Sequence, residues 1–166
     1  DPNTIKKLDR AAQHVTDSVA NVLWKSDGKH LTSGGKAVFN DESHAVKDLM
    51  MVTKKAIKDD KDLKDPDDAN TIDSDLSTTQ ISLPSSFSSS ANLIMIHLTN
   101  IDKRITDTTL VDAQAHLADL KAHGAKADVI KRVQDRINKI IENEIKADDA
   151  MIKGDYNRAI QFYRLA

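Results

Sequence analysis

The hydrophobic positions of this chain recur at intervals of three and four residues, which is the spacing of one face of an α-helix. The first such stripe follows Asp1-Pro2-Asn3, a plausible helix start, and comprises Ile5, Leu8, Ala12, Val15, Val19 and Val22. A second stripe follows Asn40 or Asp41 and comprises Ala45, Leu49, Val52 and Ala56. The segment between them, KSDGKHLTSGGKA, contains three glycines and predicts a loop, which Trp24 anchors to the bundle end.

The second half of the chain carries three further stripes. Two of them are offset by five residues, namely Ile94, Leu98, Ile101 and Ile105, then Leu110, Ala113, Leu117 and Leu120. This offset predicts either a turn near Asp107-Thr108 or one helix whose buried face rotates. Gly124 is well placed to end this element. The longest stripe then comprises Ile130, Val133, Ile137, Ile140, Ala147 and Met151, and Asp155 after Gly154 can cap a final helix.

Two segments of biased composition separate the halves. Residues 59–75 contain eight Asp and two Lys, and LPSSFSSS over 83–90 is rich in serine, which predicts a linker. We therefore predict an all-α fold, an elongated antiparallel bundle of five to seven helices with a Ser-rich interhelical loop. It comprises an N-terminal hairpin over 1–63 with a structured 25–39 loop, an acidic then Ser-rich, partly helical connector over 64–90, and C-terminal hairpins over 91–166.

The composition of the chain argues against several kinds of site and partner. The chain has 166 residues and no cysteine, which excludes disulfides and Cys-ligated zinc. A net charge of −2 gives no reason to expect nucleic acid or an anionic membrane as partner. The longest apolar run, ANLIMIHL, is far shorter than the ~20 residues of a membrane span. The start at Asp1 without Met predicts an extracellular or cell-surface protein after signal-peptide removal, although any cut of a longer chain would give the same start.

The predicted helix that contains Leu110 to Leu120 also carries candidate metal ligands, beside its apolar stripe. Asp112, His116, Asp119 and His123 follow at steps of four, three and four, which places them within one arc of a helix. Their oxygen and nitrogen donors suit Zn, Cu, Ni or Mn. The alternative is a solvated polar face beside the apolar stripe. No set of nucleophile, base and orienting group is recognisable, so we predict no enzyme and no cofactor other than a divalent metal on this face.

Three short segments resemble one another without gaps: TIDSDLSTTQI from Thr71, NIDKRITDTTL from Asn100 and KADDAMIKGDY from Lys146. Each carries an Asp followed three residues later by an aliphatic residue, and the third contains the Gly154-Asp155 break. If the segments are structurally equivalent, helix turns also lie near Thr79 and Thr108.

The end of the chain, ADDAMIKGDYNRAIQFYRLA, resembles the helix-turn-helix of one tetratricopeptide unit. The matching positions are Gly154, Tyr156, Ala159, Ile160, Tyr163 and Ala166, whereas Ala147 and Ala150 depart from the pattern. More broadly, the chain is similar to helical modules of large secreted and cell-surface proteins of archaea and bacteria. That similarity lies in Trp24, Asp27-Gly28, Leu31, Gly35 to Phe39, Glu42, Ala45-Val46 and Leu49.

This resemblance implies a structural or accessory role and transfers no catalytic residue. We therefore expect a structural or interaction module of an extracellular or cell-surface assembly, such as a filament, a lattice or a multidomain surface protein. It would self-associate through helix faces, with other copies of itself or neighbouring surface-protein domains as partners, and with neither nucleic acid nor a membrane span. The alternative is a metal- or peptide-binding helical module that uses the Asp112, His116, Asp119 and His123 face.

Overall fold

A computed structural model of the chain describes residues 1–62 and 85–166. Within these ranges it contains five α-helices and a short 3₁₀ turn: α1 (Pro2–Ser18), the turn Asn21–Leu23, α2 (Lys36–Asp62), α3 (Ser85–Ala122), α4 (Ala127–Ile152) and α5 (Tyr156–Leu165). Outside the helices, the described residues hold one isolated antiparallel bridge, between Trp24 and Leu31. The all-α bundle prediction is therefore confirmed.

The helices pack around one core, and the pairs α1–α2 and α3–α4 are each antiparallel. The α1–α2 pairing is fixed by Arg10 with Asp48 and by His14 with Asp41, because the two helices run in opposite directions past these contacts. Helix α4 pairs with α3 through Lys103 and Asp148. Every helix contributes to the core, whose members include Ala11, Val38, Val46, Met95, Leu98, Ala147, Ile160 and Tyr163.

The first stripe is confirmed at Leu8 and Val15, which pack against the core, but not at Ala12. Ala11, 3% exposed, lies in the core where Ala12 was predicted. Helix α1 ends at Ser18, so Val19 and Val22 are 58% and 77% exposed. The predicted anchoring role of Trp24 is confirmed, since its Nε1 donates to the Ser18 carbonyl at 2.9 Å and its ring packs against the core.

Helix α2 begins at Lys36, several residues before the predicted start at Asn40 or Asp41. The backbone N–H groups of Ala37 and Val38 donate to the carbonyls of Gly34 and Gly35. The turn formed by the two glycines therefore continues without a break into α2. Val38 and Phe39 thereby enter the core from the first turn of α2 rather than from the preceding loop.

The Ser-rich loop prediction is wrong for residues 85–90, which form the first turns of α3. Phe87, Ala91 and Met95 lie four residues apart and pack on the core, and the Ser90 hydroxyl donates to the Ser86 carbonyl within the helix. Hydrophobic spacing therefore overrides the loop preference of serine. The remaining connector residues 63–84, with the predicted turn near Thr79, lie outside the described residues.

Helix α3 continues through Asp107-Thr108, so the predicted turn there is wrong. The first of its two predicted stripes is also wrong at Ile94 and Ile101, which are 44% and 37% exposed. The hydroxyls of Thr106, Thr108 and Thr109 donate to carbonyls four residues earlier, which accommodates them in a helix. The second copy of the proposed hairpin repeat is thus uninterrupted helix. At 38 residues, α3 is about 57 Å long.

The remaining helix ends were predicted correctly. Gly124 follows α3 with φ +67° and Gly154 follows α4 with φ +71°, conformations that glycine adopts without strain. The Asp155 carboxylate accepts a hydrogen bond from the Arg158 N–H at 3.2 Å and caps α5.

Candidate functional site

Helices α1 and α2 bring two histidines and an aspartate together on the surface. Asp41 and His44 lie one turn apart on α2, and His14 faces them from α1. The candidate ligand atoms of all three lie within 4.8 Å of one another. His14 Nδ1 is 3.3 Å from Asp41 Oδ1, and the His14 and His44 rings are 5.1 Å apart at an angle of 54°.

This cluster opens on a cleft of about 270 Å³ lined by Arg10, His14, His44, Lys47, Asp48 and Met51. Arg10 Nη2 donates to Asp48 Oδ1 at 2.9 Å, so the guanidinium charge is already compensated. None of these lining residues carries a hydroxyl or thiol group. Two imidazoles and a carboxylate are a metal-ligating set, so the arrangement favours binding over nucleophilic catalysis.

The four residues of the predicted metal face are exposed and separate into local contacts. Asp112 accepts from His30 Nε2 at 2.7 Å, which joins it to the loop after α1. His123 Nδ1 lies 3.0 Å from the carboxylate of Asp119, one turn earlier on the same helix. His116 is exposed between these pairs. Metal binding by this face remains a prediction.

His30, which the sequence did not single out, fixes the loop to α3. The pKa of His30 is raised by its hydrogen bond to Asp27, which has the larger effect, and by its hydrogen bond to Asp112. The Lys29 backbone N–H and the His30 side chain lower the pKa of Asp27 to about 2. The ion pairs of His30 with Asp27 and with Asp112 are strongest when His30 is protonated. The contact between the loop after α1 and helix α3 is therefore electrostatic.

A pair of carboxyl groups is buried between α2 and α3. Glu42 is 1% exposed and Asp102 is 0% exposed, and among the described residues their four carboxyl oxygens have no donor partner. Burial raises the pKa of Glu42 to about 7; burial and the Glu42 charge raise that of Asp102 well above its ordinary value. A proton held by one carboxyl group supplies the donor that the other needs.

Lys103, Asp148 and Tyr163 join α3, α4 and α5. Lys103 Nζ donates to both Asp148 oxygens at 2.6 Å, and Tyr163 Oη donates to Asp148 Oδ1 at 2.5 Å. Burial opposes ionisation of Asp148, but these two donors lower its pKa overall. Burial and the Asp148 charge raise the pKa of Tyr163, whose ring is 1% exposed. Tyr163 therefore packs in the core and stays protonated.

Helix α4 exposes three isoleucines, which we name the outer α4 stripe: Ile141, Ile145 and Ile152, exposed by 37%, 65% and 86%. A groove of about 510 Å³ lies between α3 and α4 and includes Ile152. Its lining comprises Ile96, Asn100, Lys103, Asp148, Met151, Ile152 and Tyr156. None of the described helices is both long and apolar enough to cross a membrane.

Comparisons of the chain with protein-family models, with curated proteins and with solved structures find no match. The resemblance to a tetratricopeptide unit and to cell-surface helical modules therefore remains a prediction.

Proposed function

We propose that this chain is a structural or interaction module that binds other copies of itself, or neighbouring domains, within an extracellular or cell-surface assembly. The observation that carries this proposal is the outer α4 stripe. Helix α4 already buries one face through residues such as Ile137, Ile140 and Ala147. A second aliphatic face on the same helix is unnecessary for the fold and suits a partner.

The outer stripe has the spacing that helix-on-helix packing uses. On this face of α4, steps of three, four, three and four connect Asn138, Ile141, Ile145, Asp148 and Ile152, so two polar residues accompany the three isoleucines. This is the pattern by which side chains of one helix enter gaps on another. Glu142 pairs with Lys146 and Asp149 with Lys153, each at 2.5 Å, beside this stripe. These charges are neutralised within the helix, so they oppose the approach of an identical helix only weakly.

The neighbouring groove extends the apolar surface beyond Ile152. Ile96, Met151 and Tyr156 contribute apolar side chains to it. Its two charged residues, Lys103 and Asp148, already pair with one another. An aliphatic side chain from a second copy can therefore enter without leaving a buried charge unpartnered.

The size of the stripe predicts weak association. Full burial of an isoleucine contributes about 1.5–3 kcal/mol, whereas association costs roughly 4–15 kcal/mol of lost freedom. Two copies would bury six isoleucines that are 37%, 65% and 86% exposed in each copy, and the gain of roughly 6–11 kcal/mol lies within the range of that cost. An isolated pair of copies would form only at high concentration, whereas an assembly that presents many copies together would stabilise the same contact through a high effective concentration.

Sedimentation equilibrium from micromolar to millimolar concentration tests the proposal. The average mass of the wild-type chain should rise with concentration. The double variant Ile145→Glu/Ile152→Glu should stay at the monomer mass, because burial of the two carboxylates is unfavourable.

The matched control is Val22→Glu/Val111→Glu, since these valines are 77% and 63% exposed and lie off the stripe. It introduces the same charges and should associate like the wild type. A wild-type chain that stays monomeric throughout, or a stripe variant that associates as well as the control, would overturn the proposal. The cell-surface setting rests on the resemblance carried by the Trp24 loop and α2, and surface labelling of intact source cells checks it.

A further inference from the structure

We propose that His14, Asp41 and His44 bind one divalent transition-metal ion of the zinc, copper and nickel class. The site lies on the α1–α2 pair and is independent of the outer α4 stripe. Three donors from two helices lie within 4.8 Å of one another. Imidazole nitrogen combined with carboxylate oxygen favours these metals over magnesium and calcium, which prefer oxygen ligands alone.

The helical register explains why the donors converge. Asp41 and His44 are three residues apart on α2, a spacing by which helices present a carboxylate and an imidazole to one ion. His14 supplies the third ligand from the antiparallel helix α1. Zinc–nitrogen bonds of about 2.0–2.1 Å place tetrahedral ligands roughly 3.4 Å apart, so donors that lie within 4.8 Å of one another must close by at most about 1.4 Å. Rotation of His44, whose side chain is exposed, provides this movement.

The surroundings of the cluster are compatible with a dication. The Arg10 guanidinium, which lines the adjoining cleft, is paired with Asp48 at 2.9 Å. The side chains of His14 and Asp41 are 28% and 23% exposed, so water has access to the remaining coordination positions. The adjoining cleft of about 270 Å³ accommodates such a water or a small ligand.

Metal binding would also cross-link helices α1 and α2. His14 and Asp41 are separated by 27 residues of chain, including the Trp24 loop. A ligand set assembled only in the folded state stabilises that state on binding. Zinc should therefore raise the melting temperature of the chain as well as bind to it.

The test is calorimetric titration of ZnCl₂ into the full chain after chelator treatment and dialysis. The wild-type chain should bind one zinc ion. His14→Gln and His44→Gln should each bind at least about tenfold more weakly, because each removes one ligand. The control His116→Gln/His123→Gln removes two histidines from the predicted α3 face and should bind like the wild type.

Thermal unfolding with and without zinc gives a second readout. Zinc should raise the melting temperature of the wild type and of the His116→Gln/His123→Gln control, but not of His14→Gln or His44→Gln. Because His44 is exposed, its variant keeps the test valid if His14→Gln does not fold. Unchanged affinity in the His44 variant, loss of binding in the control, or one zinc per two chains would overturn the proposal.

Discussion

At the residue scale, the Glu42–Asp102 pair is the least expected feature. Two carboxyl groups that face one another away from water cannot both ionise without a large penalty. Glu42 lies in the segment that resembles surface-protein modules, and Asp102 in one of the three similar segments. Neither position was predicted to be a buried acid, because only the packing of α2 on α3 removes both from solvent.

The buried pair predicts a dependence of stability on pH. The folded-state pKa values are raised, so the native state binds more protons than the unfolded state above their ordinary pKa values. The free energy of unfolding should therefore fall as pH rises from about 4 to about 7, and the loss should persist above that range. We expect Asp102→Asn to be more stable than the wild type by about 1–2 kcal/mol at pH 8, with a smaller difference at pH 5.

Urea unfolding at the two pH values, with chelator present, measures this difference. Asp135→Asn, which removes an exposed carboxyl group on α4, should follow the wild type at both. If Asp102→Asn is less stable than the wild type at pH 8 and pH 5 alike, the pair is not a protonated one.

At the element scale, α3 shows which part of a hydrophobic pattern is reliable. The five-residue offset does not mark a turn, because the buried polar residues Asp102 and Thr106 continue the buried face of one helix. Leu98 and Ile105 lie in the main core, and Leu117 is buried further along the same helix. A single sequence cannot separate a turn from a continuous helix here, because buried polar residues leave the same gap in an apolar stripe as a turn does. Glycine and aspartate gave the dependable signals, at Gly124, Gly154 and Asp155.

The turn between α4 and α5 depends on the left-handed conformation of Gly154. A Cβ atom at this position would meet no atom within 4 Å, so the effect of substitution is conformational and not steric. Gly154→Ala should lower the free energy of unfolding by about 1 kcal/mol, because the side chain disfavours positive φ. Chemical denaturation followed by circular dichroism measures the change.

Gly34→Ala is the matched control. Its added Cβ would meet only the side chains of Leu23 and Thr32 at 3.9 Å, and its φ is not in the left-handed region. That variant should match the wild type or exceed it slightly. Equal stability of Gly154→Ala and the wild type would show that the turn relaxes into another conformation.

At the scale of the whole molecule, the helical class followed from periodicity, whereas the candidate sites depended on distant contacts. Asp41 and His44 lie one helical turn apart in the sequence, but no local pattern indicated that His14 would lie opposite them. The predicted metal face was built from residues within one helix, since only such spacings can be read from a single chain. His30, which contacts Asp112 across 82 positions, was missed for the same reason.

The division of the core predicts unequal stability along the α3–α4 pair. The main core includes α3 residues as far as Ile105 and α4 residues from Ala147 onward. Leu117, Ile137 and Ile140 are also buried but lie outside that cluster, towards the turn at Gly124. Since local opening depends on the contacts that each segment buries, amide hydrogens over 117–135 should exchange faster than those over 147–163.

Hydrogen-exchange mass spectrometry on two variants separates local from global opening. Ile137→Ala removes a buried side chain near the turn, and should accelerate exchange over 117–140 while residues 147–163 keep their protection. Ile160→Ala, at a position 0% exposed in the main core, should accelerate exchange in both segments. If both variants accelerate exchange equally everywhere, the α3–α4 pair and the rest of the bundle unfold as one unit. If they differ as expected, the α3–α4 turn can open without loss of the surface that carries Ile152 and its groove.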